Sequence, residues 1–542
     1  MKQYLQELFT KAAEQLPYLS ELEFQIEVPK IEAHGDLSVN AAMLLAKKLG
    51  KKPRDIASEI VASLSYNHES ISKIEIAGPG FINFYFTPAF ISTIIPQVIT
   101  AGEGYGRSDK YANLKGIVEF VSANPTGPLT VGHGRNAVVG DTIANLLEHV
   151  GYTIDREYYF NNAGNQMRVL GDSVKHRYLA LLGDSIVFPD DYYQGEYIND
   201  IAKELHAEYG DTLRDERPEG KFKERAEQVI FNDIKNTLDR VGIRHSVFYN
   251  ENTLYSSGRI NGVLESFKEK NLLEEREGAV WLKLSELGGE KDKVIVKSTG
   301  EPTYRLPDIA YHITKFERGY DIIVDLFGSD HIATYPDVLA GLQALGYDSE
   351  KVKVVIHQFV TVIKDNKPVK MSTRKANYIT IDELLDEVHP DVFRYFFNMR
   401  SVGSHLNFDL DLAVKQSDEN PVFYLQYAHA RICSILRSVE ESGLAPSEQN
   451  LGLLSTPEEL RLIKKLYEYP EEVLSAAEQL EPNRITTFLE DLASAFHKFY
   501  AACRIIGQEK ELAEARIALI IAVKTVIKNG LTLLGLTAPE RM

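Results

Sequence analysis

Cysteine is nearly missing from this chain: its 542 residues include only Cys433 and Cys503. Neither has a second thiol close by in sequence, which argues against a disulfide framework and against zinc held by Cys-x-x-Cys pairs. A reducing, cytoplasmic setting is expected, with no dedicated protein metal site. Long apolar runs are also scarce. The stretch Ala515 to Val523 is interrupted by Arg516 and is too short to cross a bilayer, so it reads as a core helix. The first residues, Met1-Lys2-Gln3-Tyr4-Leu5, lead into an amphipathic pattern with Glu7 and Glu14 and show no apolar signal core. No membrane partner is expected. Positive charge is in deficit too. The net charge of -18 argues against indiscriminate polyanion binding, so a nucleic-acid partner must meet locally basic surfaces. Internal repeats and low-complexity segments are absent.

What remains is ordinary globular material, 44% hydrophobic and 25% charged, enough for roughly three or four domains. Residues 1–108 read as an α+β module. Helical patterns run over Leu5 to Leu16, Ala41 to Leu49 and Ile56 to Leu64, and two strand-like runs, Lys73 to Ile76 and Phe81 to Phe86, flank the turn Gly78-Pro79-Gly80. Residues 109–415 alternate short apolar runs (Ile117 to Val121, Ile322 to Phe327, Val352 to Ile356) with helical periodicity, the pattern of a parallel, Rossmann-like sheet. A charged interval over about 180–290 reads as an insertion. Residues 416–542 are helical, with Ile432, Leu436 and Val439 in phase. The predicted fold is multidomain α/β with a C-terminal α-helical bundle.

Two segments carry chemistry. In the first, the strand Ile117 to Val121 runs through Ser122-Ala123-Asn124-Pro125-Thr126-Gly127-Pro128-Leu129 into Thr130-Val131-Gly132-His133-Gly134-Arg135-Asn136, and a helix ending near Gly151 follows. Glycines and a histidine thus sit where a strand hands over to a helix N-terminus, a site that favours a phosphate. Tight packing is the plain alternative. The spacing Gly132-x-Gly134-x-x-Ala137 with Asp155 downstream also matches a dinucleotide fingerprint, though two prolines separate it from the strand. In the second, strand Val352 to Ile356 precedes a turn at Asp365-Asn366 and the run Lys370-Met371-Ser372-Thr373-Arg374-Lys375. A cation-rich loop suits the charge that builds on a triphosphate attacked at its α-phosphorus; a solvated basic loop is the alternative.

Together, in this order, the two segments resemble the His-x-Gly-His and Lys-Met-Ser-Lys-Ser signatures of class I aminoacyl-tRNA synthetases. The spellings Val118–Pro128 and Lys370–Lys375 are similar to the bacterial arginine branch. So are Asn165-Gln166-Met167, Pro302-Thr303-Tyr304, Pro307-Asp308-Ile309-Ala310-Tyr311-His312, Tyr427-Ala428-His429-Ala430-Arg431 and Ala538-Pro539-Glu540-Arg541-Met542. The resemblance implies an arginine–tRNA ligase working through arginyl-adenylate, with ATP, Mg²⁺ carried on ATP, L-arginine and tRNA(Arg) as partners, and a monomeric state. It also implies that tRNA takes part in activation.

Carried over residue by residue, the resemblance gives His133, Thr130, Lys370, Ser372 and Arg374 to catalysis, and Gly132, His133, Gly134, Lys370 and Met371 to ATP. Glu119, Asn124, Tyr304 and Asp308 fall to arginine. Asp308 takes the guanidinium and Tyr304, one helical turn away, closes the pocket. Glu119 and Asn124 hold the α-ammonium end or assist at the guanidinium. A selective guanidinium site needs carboxylates, because that group carries five donors and a permanent charge. For tRNA the candidates are Lys51 and Lys52 in the N-terminal module and Tyr427, Arg431 and Met542 in the bundle. Three departures stand out: Thr130 in place of the first signature histidine, Thr373 in place of a lysine, and Asn162 in place of a common aspartate. His331, after a strand in Gly328-Ser329-Asp330-His331, faces the same sheet edge or serves the core. Two alternatives stay open, a noncatalytic tRNA-binding paralogue and a dinucleotide-dependent enzyme.

Overall fold

A computed structural model describes residues 1–20, 22–29, 31–369 and 379–542. The N-terminal module opens with the helix Lys2–Gln15, which buries Leu5, Leu8, Phe9 and Ala12, the three- and four-residue steps of one apolar face. It packs near an antiparallel sheet in the order Ile26–Glu27, Leu37–Val39, Phe81–Phe86, Ile71–Ala77. The helices Ala41–Leu49 and Pro53–Ser63 are separated by Gly50, whose φ of 63° ends the first, and by Pro53, whose fixed φ suits the first turn of the second.

At the centre lies a five-stranded parallel sheet built from β1 (Lys115–Glu119), β2 (Thr153–Phe160), β3 (Val247–Asn250), β4 (Ile322–Gly328) and β5 (Val352–His357). Their order is β5-β4-β1-β2-β3. The chain therefore winds outward in both directions from β1, and the crevice at the carboxyl ends of β1 and β4 is the switch point where such sheets receive ligands. Register places Glu119 beside Asp325 of β4 on one side and Glu157 of β2 on the other. The connection from β1 to β2 is helix α1 (Val131–His149), buried along most of its length.

The interval expected as an insertion is not one unit. It holds the helices Glu196–Tyr209 and Lys223–Arg240, then edge strand β3 of the central sheet, then a small antiparallel sheet of Leu273–Arg276, Ala279–Leu282 and Lys293–Val296. Helix α2 (Arg305–Glu317) follows and leads into β4. After β5, the strand Val360–Lys364 turns at Asp365 and Asn366 (φ 51° and 60°) into Lys367–Pro368, so the expected turn is present with both residues left-handed.

The C-terminal region is a bundle of α3 (Pro421–Ser442), α4 (Pro457–Gln479), α5 (Asn483–Ala502) and α6 (Lys510–Leu533). Arg516, the residue that interrupts the apolar stretch, is buried and donates from Nε to Glu459 Oε1 at 2.7 Å. The same glutamate accepts from the backbone N–H of Thr456 and so closes the capping box at the start of α4. No helix among the described residues is long and apolar enough to cross a membrane.

Candidate active site

The chain leaves β1 through two non-glycine residues in left-handed conformation, Val121 (φ 68°) and Ser122 (φ 45°). For a β-branched residue this is a strained geometry that persists only when the surroundings hold it. They do. Asn136 of α1 accepts from the Val121 N–H at 2.6 Å, donates to the Leu326 carbonyl of β4 at 3.1 Å and lies 3.2 Å from Nε2 of His357 at the end of β5. The Ser122 hydroxyl donates to Glu119 at 2.9 Å and accepts from the Tyr159 N–H at 3.2 Å. Beyond the kink, Asn124 accepts from the Asn161 N–H and donates to Gln166, each at 3.0 Å. A single amide thus ties three strands together at the sheet edge where the first signature begins.

Thr130 is the N-cap of α1. Its N–H donates to Nδ1 of His133 at 3.0 Å, so the neutral ring carries its proton on Nε2. Burial, with His357 adding to it, pushes His133 down to about 4. His133 is accordingly a neutral hydrogen-bond donor at pH 7. Gly132 is exposed, and a Cβ there would make an ordinary contact with Thr130 Oγ1 at 3.7 Å, whereas Gly134 is buried with Phe393 Cζ 2.8 Å from that position. Both glycines lie inside α1 rather than in a strand-to-helix loop, which removes the geometry required by the dinucleotide fingerprint. Arg135 is fully buried and donates to the carbonyls of Gln358, Ser401 and Ser404 at 2.8–3.0 Å.

The second signature's residues Lys370, Met371, Ser372, Thr373, Arg374 and Lys375 lie outside the described residues. Its downstream flank does not. Val131 N–H donates to Ile379 O at 3.1 Å and Ile381 N–H to Leu129 O at 2.9 Å, with Thr130 paired antiparallel to Thr380. The chain that follows the basic segment is therefore stitched to the residues that start α1. Segments far apart in sequence meet at one helix N-terminus.

The third component is an acidic floor. Helix α2 places Asp308, Tyr311, His312 and Lys315 along one face at steps of three and four. Lys315 is fully buried and donates to Glu119 and to Asp325 at 2.6 Å each. Asp325 pairs through its other oxygen with His312 Nε2 at 2.8 Å, and His312 Nδ1 lies 2.7 Å from the Asp308 carbonyl. Alongside, Glu157 accepts from the Tyr311 hydroxyl and from Arg318. Glu251, just past β3, accepts from Tyr159 at 2.8 Å and Tyr255 at 3.3 Å. Burial pushes the Asp308 carboxyl up to about 7; Glu119 and Glu251 push the same way, against His312 and Lys315. Asp308 and His312 line a narrow cleft with Phe327, His331, Tyr335 and Val338. His331 stacks on Phe327 at 5.1 Å.

The arrangement brings Glu119, Asn124, Thr130, Gly132 and His133 to one end of β1, with Glu119 bridged by Lys315 to the helix that carries Asp308. Tyr304 stands apart. It is 75% exposed at the start of α2, so in this conformation it does not close the pocket. Asn162 donates to Glu227 at 2.7 Å and accepts from Asn252, binding the helix Lys223–Arg240 to the sheet edge. Sequence reasoning missed Lys315, His312, Asp325, Glu157 and Glu251. Ionisable residues in phase at 308, 312 and 315, on the helix face that also carries apolar residues, were the available signal.

Of the residues expected to meet RNA, Lys51 is exposed and paired with Glu59 at 2.6 Å, and Lys52 is exposed. In the bundle, Tyr427 is 41% exposed and stacks on His497 with ring centres 6.0 Å apart, while the Arg431 guanidinium lies 4.7 Å over the Tyr500 ring. Met542 is exposed. This is a surface strip of aromatic faces and one cation.

Residues 3–86 match the family model described as arginyl tRNA synthetase N terminal domain. Residues 95–394 match tRNA synthetases class I (R), catalytic domain, and residues 425–542 the DALR anticodon binding domain. An arginine–tRNA ligase of Desulfotalea psychrophila is 50% identical over 522 residues, 96% of this chain and 95% of that protein. One of Chlorobium phaeovibrioides is 51% identical over 528 residues, 96% of each. The solved arginyl-tRNA synthetase of Thermus thermophilus shares 20% identity across the whole of both chains with a TM-score of 0.79, a likeness of fold.

Proposed function

We infer that this chain, which belongs to the arginyl-tRNA synthetase family, joins L-arginine to tRNA(Arg) at the expense of ATP, releasing AMP and diphosphate. The observation that carries the reading is the junction of Leu129–Val131 with 379–381. It attaches the flank of the basic segment to the helix N-terminus that presents Gly132 and His133.

The arginine carboxylate attacks the α-phosphorus of ATP in line, and diphosphate leaves. Little proton transfer is needed, so catalysis rests on positioning and on charge stabilisation. The N-terminus of α1, the neutral His133 Nε2–H and Thr130 are assigned to the phosphates, and Gly132 leaves room for the nucleotide to approach the backbone. Gly134, proposed with it, acts by letting α1 pack against Phe393. Lys370, Ser372, Arg374 and Met371 are assigned to the triphosphate and the adenosine. Mg²⁺ arrives on ATP and neutralises part of the phosphate charge. Asp308 receives the guanidinium, with Glu251 beside it; Glu119 and Asn124 hold the α-ammonium end, and Tyr304 swings in to cover the pocket. The adenylate is then attacked by the 2′-hydroxyl of the tRNA's terminal adenosine.

The division of labour proposed is tRNA elbow contact by residues 1–108 through Lys51 and Lys52, chemistry by 109–415, and anticodon reading by 416–542 through Tyr427, Arg431 and Met542. The enzyme works as a monomer, all of these elements coming from one chain, in the reducing cytoplasm where its two buried free thiols persist. Arginine-dependent ATP–pyrophosphate exchange, with and without tRNA(Arg), tests the reading. Exchange that rises with tRNA supports it; RNA binding without exchange would instead make the chain a noncatalytic paralogue.

A further inference from the structure

The proposed contacts for arginine do not use the most deeply buried cation beneath them. Lys315 has no exposed surface, and its ammonium sits between Glu119 and Asp325 at 2.6 Å from each. A lysine is rarely so buried unless paired, and here it has two carboxylates for one charge. The bonds run on in both directions. From Glu119 they reach Ser122, the strained residue at the exit of β1; from Asp325 they reach His312 and the backbone of Asp308. One continuous path therefore links both residues assigned to arginine, and Lys315 is its middle.

We propose that Lys315 is a positioning residue for arginine recognition: it keeps Glu119 aimed from the end of β1, and it holds α2 at the height that sets Asp308. The inference rests on the assignment of Glu119 and Asp308 to arginine. Without the ammonium, Glu119 and Asp325 are adjacent like charges at paired register positions that repel one another, with His312 left as the partner of Asp325 and Glu157 as the other register neighbour of Glu119. Glu119 then loses its fixed orientation. Lysine facing both carboxylates through one point charge explains why the planar guanidinium of arginine is a poor substitute there.

The test compares Lys315→Met, Asp325→Asn, the double variant Lys315→Met/Asp325→Asn and Glu119→Gln, measuring KM for arginine, KM for ATP and kcat in pyrophosphate exchange with tRNA present, from pH 6 to 9. Lys315→Met should raise the arginine KM by roughly tenfold to a hundredfold, the factor of one charge-assisted hydrogen bond, with the ATP KM changed far less. The double variant, which removes the competing carboxylate with the ammonium, should recover part of the arginine KM. A Lys315→Met enzyme whose arginine KM is normal, or whose KM values for arginine and ATP rise equally at every pH, overturns the proposal. Should Lys315→Met fail to fold, the double variant and the isosteric Asp325→Asn decide. In the folded double variant, an arginine KM that regains the normal value with Lys315 gone contradicts the positioning role. In Asp325→Asn, where the Lys315–Glu119 pair remains, an arginine KM raised as far as in Glu119→Gln does the same. An unchanged arginine KM in Glu119→Gln refutes instead the assignment of Glu119, a separate failure.

Discussion

Arginine binding should weaken as pH falls through 7, because the carboxyl assigned to the guanidinium is held at about 7 by burial and by Glu119 and Glu251. The guanidinium stays charged throughout, so Asp308 is the partner that changes. If only the ionised form binds, the dissociation constant scales as one plus the ratio of protonated to ionised carboxyl. Between pH 8 and pH 6 that is a factor of roughly ten, about 1.4 kcal/mol. Near pH 7, binding should release about half a proton, visible in calorimetry as a dependence on buffer ionisation enthalpy. Asp308→Asn should bind arginine roughly tenfold to a hundredfold more weakly at pH 8 and show neither the pH dependence nor the proton release. Stability should move the other way. A carboxyl whose folded value lies above its unfolded value of 3.8 favours the folded state only at low pH and opposes it as pH rises through 7. Asp308→Asn should therefore be more stable than the parent at pH 8, by up to a few kcal/mol. An arginine affinity flat from pH 6 to 8 in the parent enzyme refutes this reading of the pocket.

Because His133 works as a neutral donor, its replacement by alanine should lower the exchange rate by roughly a hundredfold to a thousandfold, the usual loss for one preorganised donor, while Thr130→His should raise it; an unchanged rate in either contradicts the role assigned to that residue. Gly132→Ala should fold at least as stably as the parent yet raise the ATP KM, and Gly134→Ala should lose about 1–3 kcal/mol in denaturant unfolding by pressing on Phe393. Tyr427→Ala and Arg431→Ala should each weaken tRNA binding by about 1–3 kcal/mol without altering arginine affinity, and equal losses in both would place these residues in folding rather than recognition.

Regular elements were legible wherever local pattern decides them. The helix Ala41–Leu49 and the strand Phe81–Phe86 occupy the residues that periodicity indicated, and the Asp365–Asn366 turn follows from two residues that tolerate left-handed φ. Strand β3 was not. Its four residues lie in a charged interval, and their membership of the central sheet is decided by pairing with β2, a long-range contact that local composition does not encode. The site divides along the same line. Segment spelling singled out Glu119, Asn124, His133 and Asp308, but the protonation of His133 depends on the Thr130 N–H and on burial, both products of the fold. Lys315 escaped notice because a lysine at helical spacing reads as a solvated face, and only the register of β1 with β4 brings two carboxylates to it. Tyr304 marks the opposite case: its position was legible, but its exposed side chain shows that helical spacing alone does not turn a ring into a pocket.

The most direct measurement is a crystal structure of the enzyme with a non-hydrolysable arginyl-adenylate analogue. The guanidinium should lie within hydrogen-bond distance of Asp308, the phosphate-mimicking group beside the N–H groups opening α1 and His133 Nε2, and the adenosine over Gly132. An analogue bound away from the carboxyl end of β1, or with its guanidinium remote from Asp308, would contradict the proposed site.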